Sequence, residues 1–417
     1  TMQNMIYNGY AVTDEQQQAI DWAVTQGSQT VQACAGAGKT STLGAISEAL
    51  ASHFKNGLYI AYNRSIADEA SRKMPHNVTA RTAHSLAYRN MAFPFKDAGK
   101  LAGRPYPNVI ARQLNIGAIQ PLTATGVAAV ALQTIANFCY SADKEIAHHH
   151  VPMSDYIDQG YDNSDLAAIE HTIWTHATNI WSKMIDLRDP MPITHDVYLK
   201  LWCLSDPVLK FDFILFDEAQ DANPVLTDLV LKQSASLMFV GDKYQQIYSW
   251  RGAKNAMASV DMKRNDLTQS FRFGQPVADI ANRILNTQLN AGVSIRGFDN
   301  ISSSIVSLTK NDADCIISRT NSGVFSNLFS GLDLGHRVAI NGGASQRITL
   351  IREMQRLQLG QRSEHADLRT FENWGALVEY SETSQGHDLK LPIKLMDEHG
   401  ADRVIAAVQS TENNKHN

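Results

Sequence analysis

The sequence predicts an α/β fold, in which helices pack on a parallel β-sheet. Over the first 88 residues, short apolar runs typical of buried strands alternate with helical stretches. A strand at Thr30–Ala33 leads through a glycine-rich loop into a helix at Thr40–Phe54, and a second strand at Leu58–Tyr62 leads into a helix that ends near Met74. This order of strand, loop, helix and strand is typical of a parallel sheet.

Residues 89–205 have the apolar periodicity of helices and no run typical of a buried strand. Their longest helical stretches are Val127–Tyr140 and Leu166–Ile185. The apolar runs Phe211–Phe216 and Leu237–Val240 then resume the pattern of the sheet. We therefore interpret residues 89–205 as a helical insertion in a first α/β domain, which comprises residues 1–88 and 206–264.

After residue 265 the pattern predicts a second α/β domain. Its predicted strands are Cys315–Ser318 and His336–Ile340. The charged, helical stretch at 345–400 is interpreted as a small insertion. The second α/β domain then comprises residues 265–344 and 401–417.

The composition restricts the class of protein and of partner. Hydrophobic residues make up 44% of the 417 and charged residues 19%, as in a globular protein, and the apolar runs are too short to span a membrane. The net charge of −5 argues against gripping duplex DNA mainly by its phosphates, but it permits stacking contacts to single strands. Four widely spaced cysteines and no leader-like segment predict the cytoplasm or, in a eukaryote, the nucleus.

The glycine-rich loop A-C-A-G-A-G-K-T at 33–40 matches the pattern of a phosphate-binding loop. Gly36 and Gly38 allow backbone N–H groups to turn toward phosphate oxygens. Lys39 is expected to reach the β- and γ-phosphates of ATP, and the Thr40 hydroxyl to bind Mg²⁺. The alternative is a structural glycine turn. The predicted nucleotide contacts in this segment are Ala33, Cys34, Ala35, Gly36, Ala37, Gly38, Lys39, Thr40 and Ser41.

A pair of carboxylates follows the apolar run at 213–216. Asp217 and Glu218 stand where a strand of an α/β sheet ends, which is the edge at which such sheets bind ligands. Asp217 is predicted to hold Mg²⁺, and Glu218 to orient and activate the attacking water. For this pair taken alone, an acidic first turn of a helix is the alternative.

Several segments together resemble the UvrD/Rep-like branch of the superfamily 1 DNA helicases. The most specific are the phosphate loop, D-E-A-Q-D at 217–221 and V-G-D-K-Y-Q-Q-I-Y-S-W-R-G-A at 240–253. Further motifs of that branch are resembled by A-Y-N-R at 61–64, T-A-H-S-L at 82–86 and L-T-Q-S-F-R at 267–272. Within the branch, H-D-V-Y-L-K-L-W at 195–202 most resembles the F-box DNA helicase group, although the sequence contains no F-box.

The resemblance implies a P-loop NTPase with two RecA-like parallel-sheet domains, the second of them incomplete. The helical insertions at 89–205 and 345–400 would then be 1B-like and 2B-like. The resemblance also implies that the protein binds ATP, Mg²⁺ and single-stranded DNA or junctions of single and double strands. It implies that Gln16 reads the adenine, that Gln245 senses the γ-phosphate, and that Phe271 stacks on the adenine. Arg272 is implied to reach the γ-phosphate across a cleft, from the second domain. The implied contacts to the single strand are Tyr62, Asn63, Arg64, His84, Trp250 and Arg251.

Structural alternatives stay open for four of these side chains. Trp250 and Phe271 could pack in the core, His84 could be a satisfied structural histidine, and Arg272 could form a surface ion pair. The family also implies two C-terminal motifs, one of them with a second arginine, that are not found in this sequence.

Two functional interpretations follow from the lack of these two motifs in the sequence. In the first the chain is part of a longer protein, an ATP-dependent DNA helicase that moves in the 3′→5′ direction. In the second it is a short form, an ATP-gated DNA- or partner-binding module with little hydrolysis. Glu218 and Arg272 keep the chemistry of hydrolysis and favour the first. A nuclease or other protein partner is a further hypothesis, no membrane is expected, and the chain alone is expected to be monomeric.

Overall fold

The computed structural model describes residues 4–153, 162–246, 256–307, 314–318, 321–340, 344–365, 368, 371–382 and 386–413. The chain divides into two compact units, each treated by itself below. The first unit comprises Thr1–Ala102, Ala136–Glu145 and Leu187–Ile305, and the second comprises Gly103–Ile135, Ile146–Asp186 and Val306–Asn417. These boundaries differ from those predicted for the domains, so the predicted domain division stays a prediction.

Eight strands are found in the described residues, all of them in the first unit. They are β1 (Ile6–Tyr7), β2 (Tyr10–Ala11), β3 (Gln29–Ala33), β4 (Gly57–Ala61), β5 (Val78–Thr82), β6 (Phe213–Phe216), β7 (Ser236–Gly241) and β8 (Lys263–Leu267). β1 and β2 form an antiparallel hairpin, and the other six form one parallel sheet in the order β5-β4-β6-β7-β3-β8. The predicted α/β class, with a parallel sheet, is confirmed.

The α-helices alternate with these strands in the first unit and make up most of the regular structure described in the second. They are α1 (Asp14–Thr25), α2 (Lys39–Ala51), α3 (Arg64–Lys73), α4 (Ala83–Ala87), α5 (Phe93–Asp97), α6 (Pro107–Gln113), α7 (Ala124–Tyr140), α8 (Asn163–Ile185), α9 (His195–Leu204), α10 (Pro224–Leu231), α11 (Ala256–Ser259), α12 (Gln275–Gln288), α13 (Asn321–Asp333), α14 (Ala344–Gln358), α15 (Trp374–Ser381), α16 (His387–His399) and α17 (Ala401–Asn413). One π-helical turn, Tyr88–Ala92, follows α4 directly.

The interior strands of the sheet are buried because helices cover both of their faces. β3, β4 and β6 are buried along their whole length. Their carboxyl ends lie along one edge of the sheet, since all six strands run parallel. That edge carries the phosphate loop after β3 and the carboxylate pair after β6.

Two predicted strands are wrong. Residues 315–318 and 336–340 lie in the second unit and form no strand there. Ile316 and Ile317 are exposed, with no neighbouring strand to pair with in the described residues. A β-branched, apolar run favours a strand only where a partner supplies the hydrogen bonds, so the local pattern alone misled the prediction.

A buried lysine ties α9 to the segment that follows α7. The Lys200 ammonium donates hydrogen bonds to the backbone oxygens of Ser141 at 2.7 Å and Asp143 at 2.6 Å. It also lies 4.2 Å from the centroid of the Phe138 ring. Burial lowers the pKa of Lys200, yet the two carbonyl oxygens and the ring compensate the charge.

We expect Lys200→Met to lower the free energy of unfolding of the first unit by about 1–3 kcal/mol, because both carbonyl oxygens lose their ammonium donor. Urea unfolding followed by tryptophan fluorescence measures this change. Lys210→Met is the matched control, since Lys210 is exposed. Equal unfolding midpoints for the two variants would contradict a stabilising role for the buried ammonium.

Candidate active site

The phosphate loop has the backbone that its glycines predict. β3 ends at Ala33, and α2 begins at Lys39. Gly36 and Gly38 have φ angles of +76° and +77°, in the left-handed region that favours glycine. A Cβ atom on Gly36 would lie only 2.7 Å from Cγ of Arg272, so a side chain has no room at this position. The loop is therefore shaped both by its own turn and by the segment that packs on it.

The other predicted loop residues differ in exposure. Ala33, Cys34 and Ala37 are buried, whereas Thr40 and Ser41 are exposed on the first turn of α2. Burial and the nearby Asp242 carboxylate raise the pKa of the Cys34 thiol to about 12. The thiol is therefore protonated at neutral pH, and Cys34 is suited to shaping the loop and not to nucleophilic chemistry.

Lys39 and Glu218 meet at the carboxyl edge of the sheet. The Lys39 ammonium lies 2.7 Å from Oε1 of Glu218, and both side chains are partly buried. Burial raises the pKa of Glu218, but Lys39, Gln220 and Arg272 together hold it below its ordinary value. Glu218 is therefore ionised at neutral pH, and its two oxygens accept hydrogen bonds from Lys39 and Gln220.

The backbone of Glu218 is strained. Its φ of +50° and ψ of +40° place a residue with a large side chain in the left-handed region. Such a conformation persists where the surroundings enforce it, and it is common at functional sites. Here it turns the chain sharply after β6, so that Asp217 and Glu218 present their carboxylates from consecutive positions.

Asp217 is buried and held from two sides. The Tyr59 hydroxyl donates a hydrogen bond to Oδ2 of Asp217, and the Glu218 amide donates one to Oδ1 at 2.9 Å. Burial raises the pKa of Asp217, against the opposing effect of the Lys39 ammonium. Asp217 follows β6, and Thr40 lies in the first turn of α2, so both side chains stand at the carboxyl edge of the sheet. Both offer the oxygen ligands that Mg²⁺ prefers, and the residues therefore fit the predicted cation.

A chain of hydrogen bonds links Glu218 to the segment after β7. The Gln220 amide donates to Oε2 of Glu218 at 2.7 Å, and its oxygen accepts from the Asp242 backbone N–H at 3.1 Å. Asp242 in turn accepts hydrogen bonds from Gln32 at 3.0 Å and from Gln245 at 2.8 Å. Gln245, predicted to sense the γ-phosphate, is thereby connected to Glu218 through two intervening residues, Gln220 and Asp242.

Arg272 does not approach from a second domain, which corrects the prediction. It follows β8, and β8 pairs with β3, the strand that leads into the phosphate loop. Phe271 N–H donates to the Gly36 oxygen at 2.9 Å, and the Ser270 hydroxyl donates to the Ala35 oxygen at 2.8 Å. Arg272 is exposed and forms no ion pair with a described residue. This argues against the structural alternative, in which Arg272 forms a surface ion pair.

The start of α1 reaches the same loop. Gln16 lies in a capping box with Thr13, and its amide donates to the Thr42 hydroxyl at 2.9 Å. A Cβ atom on Gly38 would be 3.1 Å from Nε2 of Gln16 and 3.7 Å from the Phe271 ring. Phe271 is 37% exposed, so it is not a core residue. Gln16 and Phe271 thus flank the loop where an adenine would be read and stacked.

The predicted nucleic-acid contacts lie at the ends of β4 and β5. Tyr62, Asn63 and Arg64 are exposed at the start of α3, where the Asn63 side chain caps the helix by accepting from Ile66 N–H at 2.9 Å. His84 is on α4, with 44% of its side chain exposed. Trp250 and Arg251 lie outside the described residues.

Sequence reasoning missed three polar side chains of the site: Tyr59, Gln220 and Asp242. Tyr59 is buried in β4 among apolar residues and touches Asp217 from a neighbouring strand. Asp242 directly follows the buried strand β7, which is the same signal that identified Asp217. That signal would have found Asp242, but no local pattern pairs Tyr59 or Gln220 with their partners.

Two family models match the parts of the chain that build this site. Residues 182–264 match the UvrD/REP helicase N-terminal domain, and residues 11–116 match an AAA domain. F-box DNA helicase 1 of Gallus gallus is 35% identical over 285 residues, which are 66% of this chain and 28% of that protein. The predicted resemblance of the chain to the UvrD/Rep-like helicases is confirmed by these matches. The chain's resemblance to the F-box DNA helicase group is confirmed as well.

Other UvrD/Rep-like relatives match over different lengths. F-box DNA helicase protein 1 of Schizosaccharomyces pombe is 29% identical over 421 residues, which are 93% of this chain and 47% of that protein. ATP-dependent DNA helicase PcrA of Leuconostoc citreum is 30% identical over 115 residues, or 25% of this chain. The chain thus spans less than half the length of these relatives. No helix in the described part of the chain has both the length and the apolar character needed to cross a membrane.

Proposed function

We propose that the chain is the ATP-hydrolysing part of a DNA helicase that moves along single-stranded DNA in the 3′→5′ direction. The observation that carries this proposal is the convergence of Lys39, Glu218 and Arg272 on one phosphate loop. The relatives named as DNA helicases support DNA as the substrate. The family pattern supports the direction, and we extend the proposal to junctions of single and double strands.

Binding of ATP uses groups that are already oriented toward the loop. The backbone N–H groups of the loop and the start of α2 would receive the phosphates, and Lys39 would bind the β- and γ-phosphates. Mg²⁺, when bound, would neutralise phosphate charge, and Thr40 and Asp217 are the residues that would hold it. Gln16 and Phe271 would bind the adenine from the two sides described above.

Hydrolysis would depend on Glu218 and Arg272. The ionised Glu218 carboxylate accepts a hydrogen bond from the attacking water and orients it toward the γ-phosphate. Gln220 donates a hydrogen bond to Oε2 of Glu218, so the orientation of the carboxylate is fixed. Arg272, beside Gly36, stabilises the negative charge that builds up on the transferred phosphoryl group.

Coupling to DNA would run through the residues after β7. Gln220 and Asp242 connect Glu218 to Gln245, and the chain then continues into the segment that carries Trp250 and Arg251. Stacking of a base on an aromatic ring is worth ~1–3 kcal/mol and tolerates any sequence. The exposed residues Tyr62, Asn63 and His84 are the proposed contacts at the ends of β4 and β5.

The test is Lys39→Ala, measured as ATP hydrolysis stimulated by single-stranded DNA. We expect the rate to fall by on the order of 10²–10³-fold, because one preorganised charge on the phosphates is lost. Lys73→Ala is the matched control, because Lys73 forms a comparable 2.6 Å pair with Glu69 on the surface of α3. An unchanged rate in Lys39→Ala would refute the assignment.

The second interpretation, an ATP-gated binding module, makes a different prediction in the same assay. The unaltered chain would then show little stimulated hydrolysis, while ATP would still change its affinity for single-stranded DNA. Measuring both quantities on one preparation distinguishes the two functions.

A further inference from the structure

His84 has one ring nitrogen held and the other available. It lies on α4, whose first turn is capped by the Thr82 hydroxyl, directly after β5. Nε2 of His84 lies 2.9 Å from Oδ1 of Asp196, and among the described residues Nδ1 has no hydrogen-bond partner. With 44% of the side chain exposed, a polar atom of a ligand has access to the ring.

Asp196 is well placed to fix that ring. It lies in the first turn of α9, where the helix dipole favours a carboxylate. Its second oxygen, Oδ2, accepts a hydrogen bond from the Tyr140 hydroxyl at 3.2 Å. Burial raises the pKa of Asp196, but His84, Tyr140 and His195 outweigh it and hold the pKa below its ordinary value. An ionised carboxylate only accepts hydrogen bonds, so Nε2 of His84 carries the proton.

Aromatic contacts restrict the same ring from another direction. Tyr198, also on α9, meets His84 edge to face with the ring centroids 6.4 Å apart. Tyr198 is in turn in edge contact with Tyr88 of the π-helical turn at 5.9 Å. The imidazole is therefore held by a carboxylate and by a ring of the same helix, both far from it in sequence.

We propose that Asp196 is a positioning residue, which fixes the tautomer and the orientation of His84 so that Nδ1 faces the single strand. This inference rests on the proposed function, since it assumes that His84 contacts DNA. A carboxylate that orients a ligand-binding imidazole in this way raises the share of molecules in the binding geometry. DNA affinity, and not the nucleotide site, is the property that Asp196 should control.

The test is a double-mutant cycle on the full chain, with binding to a fluorescein-labelled oligothymidylate followed by fluorescence anisotropy. We expect His84→Ala and Asp196→Ala each to weaken binding about three- to tenfold, the scale of one hydrogen bond. The double variant should bind no more weakly than His84→Ala alone. Asp196→Asn keeps an oxygen that can accept from Nε2, so it should lose less affinity than Asp196→Ala.

Asp206→Ala is the matched control, because Asp206 is an exposed carboxylate of the same unit that pairs with Lys232. It should leave DNA binding unchanged. Thermal unfolding of each variant reports whether the fold is intact.

Three outcomes would overturn the inference. If His84→Ala weakens binding and Asp196→Ala does not, the positioning role fails while the proposed function stands. If Asp196→Ala costs the same affinity with and without His84, the carboxylate acts only on the fold. If His84→Ala has no effect, the DNA contact assigned to His84 under the proposed function fails together with the inference.

Discussion

Arg272→Ala is expected to reduce the rate of ATP hydrolysis by about 10³–10⁵-fold, which is the largest effect we predict. The Cβ and Cγ atoms of Arg272 lie beside Gly36, and the positive charge of Arg272 helps to lower the pKa of Glu218. Loss of the guanidinium removes the stabilisation of charge that develops during phosphoryl transfer. Single-turnover hydrolysis with saturating ATP measures this step directly.

The fold around Arg272 should survive the substitution. The segment is held to the loop by the Ser270 hydroxyl and the Phe271 backbone, which the variant keeps. Arg272→Lys retains a charge but loses the planar fork, so an intermediate rate is expected. Arg264→Ala is the control, since Arg264 is exposed on β8 and pairs with Asp266. A rate within tenfold of the unaltered chain in Arg272→Ala would show that another cation performs this role.

Glu218→Gln is expected to reduce hydrolysis by about 10²–10⁴-fold while ATP still binds. The amide has nearly the shape of the carboxylate, but it cannot accept a proton from water. Nucleotide affinity, measured with a fluorescent ATP analogue, separates this loss of chemistry from a loss of binding.

The control for Glu218→Gln is Glu69→Gln, which breaks the pair with Lys73 on the surface of α3. It should leave both hydrolysis and binding unchanged. Full hydrolysis in Glu218→Gln would contradict the role of the carboxylate, and a loss of ATP binding of similar size would assign Glu218 to binding instead.

The strands that the sequence predicted correctly are those buried on both faces. β3, β4, β6 and β7 lie within about two residues of their predicted bounds. β4, β6 and β7 are short apolar runs bounded by turn or polar residues, a pattern typical of a buried strand. β8 was missed because K-R-N-D-L reads as a loop. It is an edge strand, and charged residues are tolerated there.

Local sequence patterns also could not reveal the contacts between strands at the site. Lys39, Asp217 and Glu218 could be placed together because each follows a strand of one parallel sheet. Arg272 was assigned to a second domain because the pairing of β8 with β3 joins residues more than 200 positions apart. Contacts such as that of Tyr59 with Asp217 depend on strand order, which no local pattern contains.

The pairing of Lys39 with Glu218 has a consequence for energy coupling. A triphosphate that binds Lys39 must displace the Glu218 carboxylate from the ammonium. Its binding free energy is therefore reduced by the free energy of the Lys39–Glu218 ion pair. The same exchange releases Glu218 toward water only when phosphate has arrived. In the proposed mechanism, the general base is therefore held by Lys39 until a triphosphate is bound.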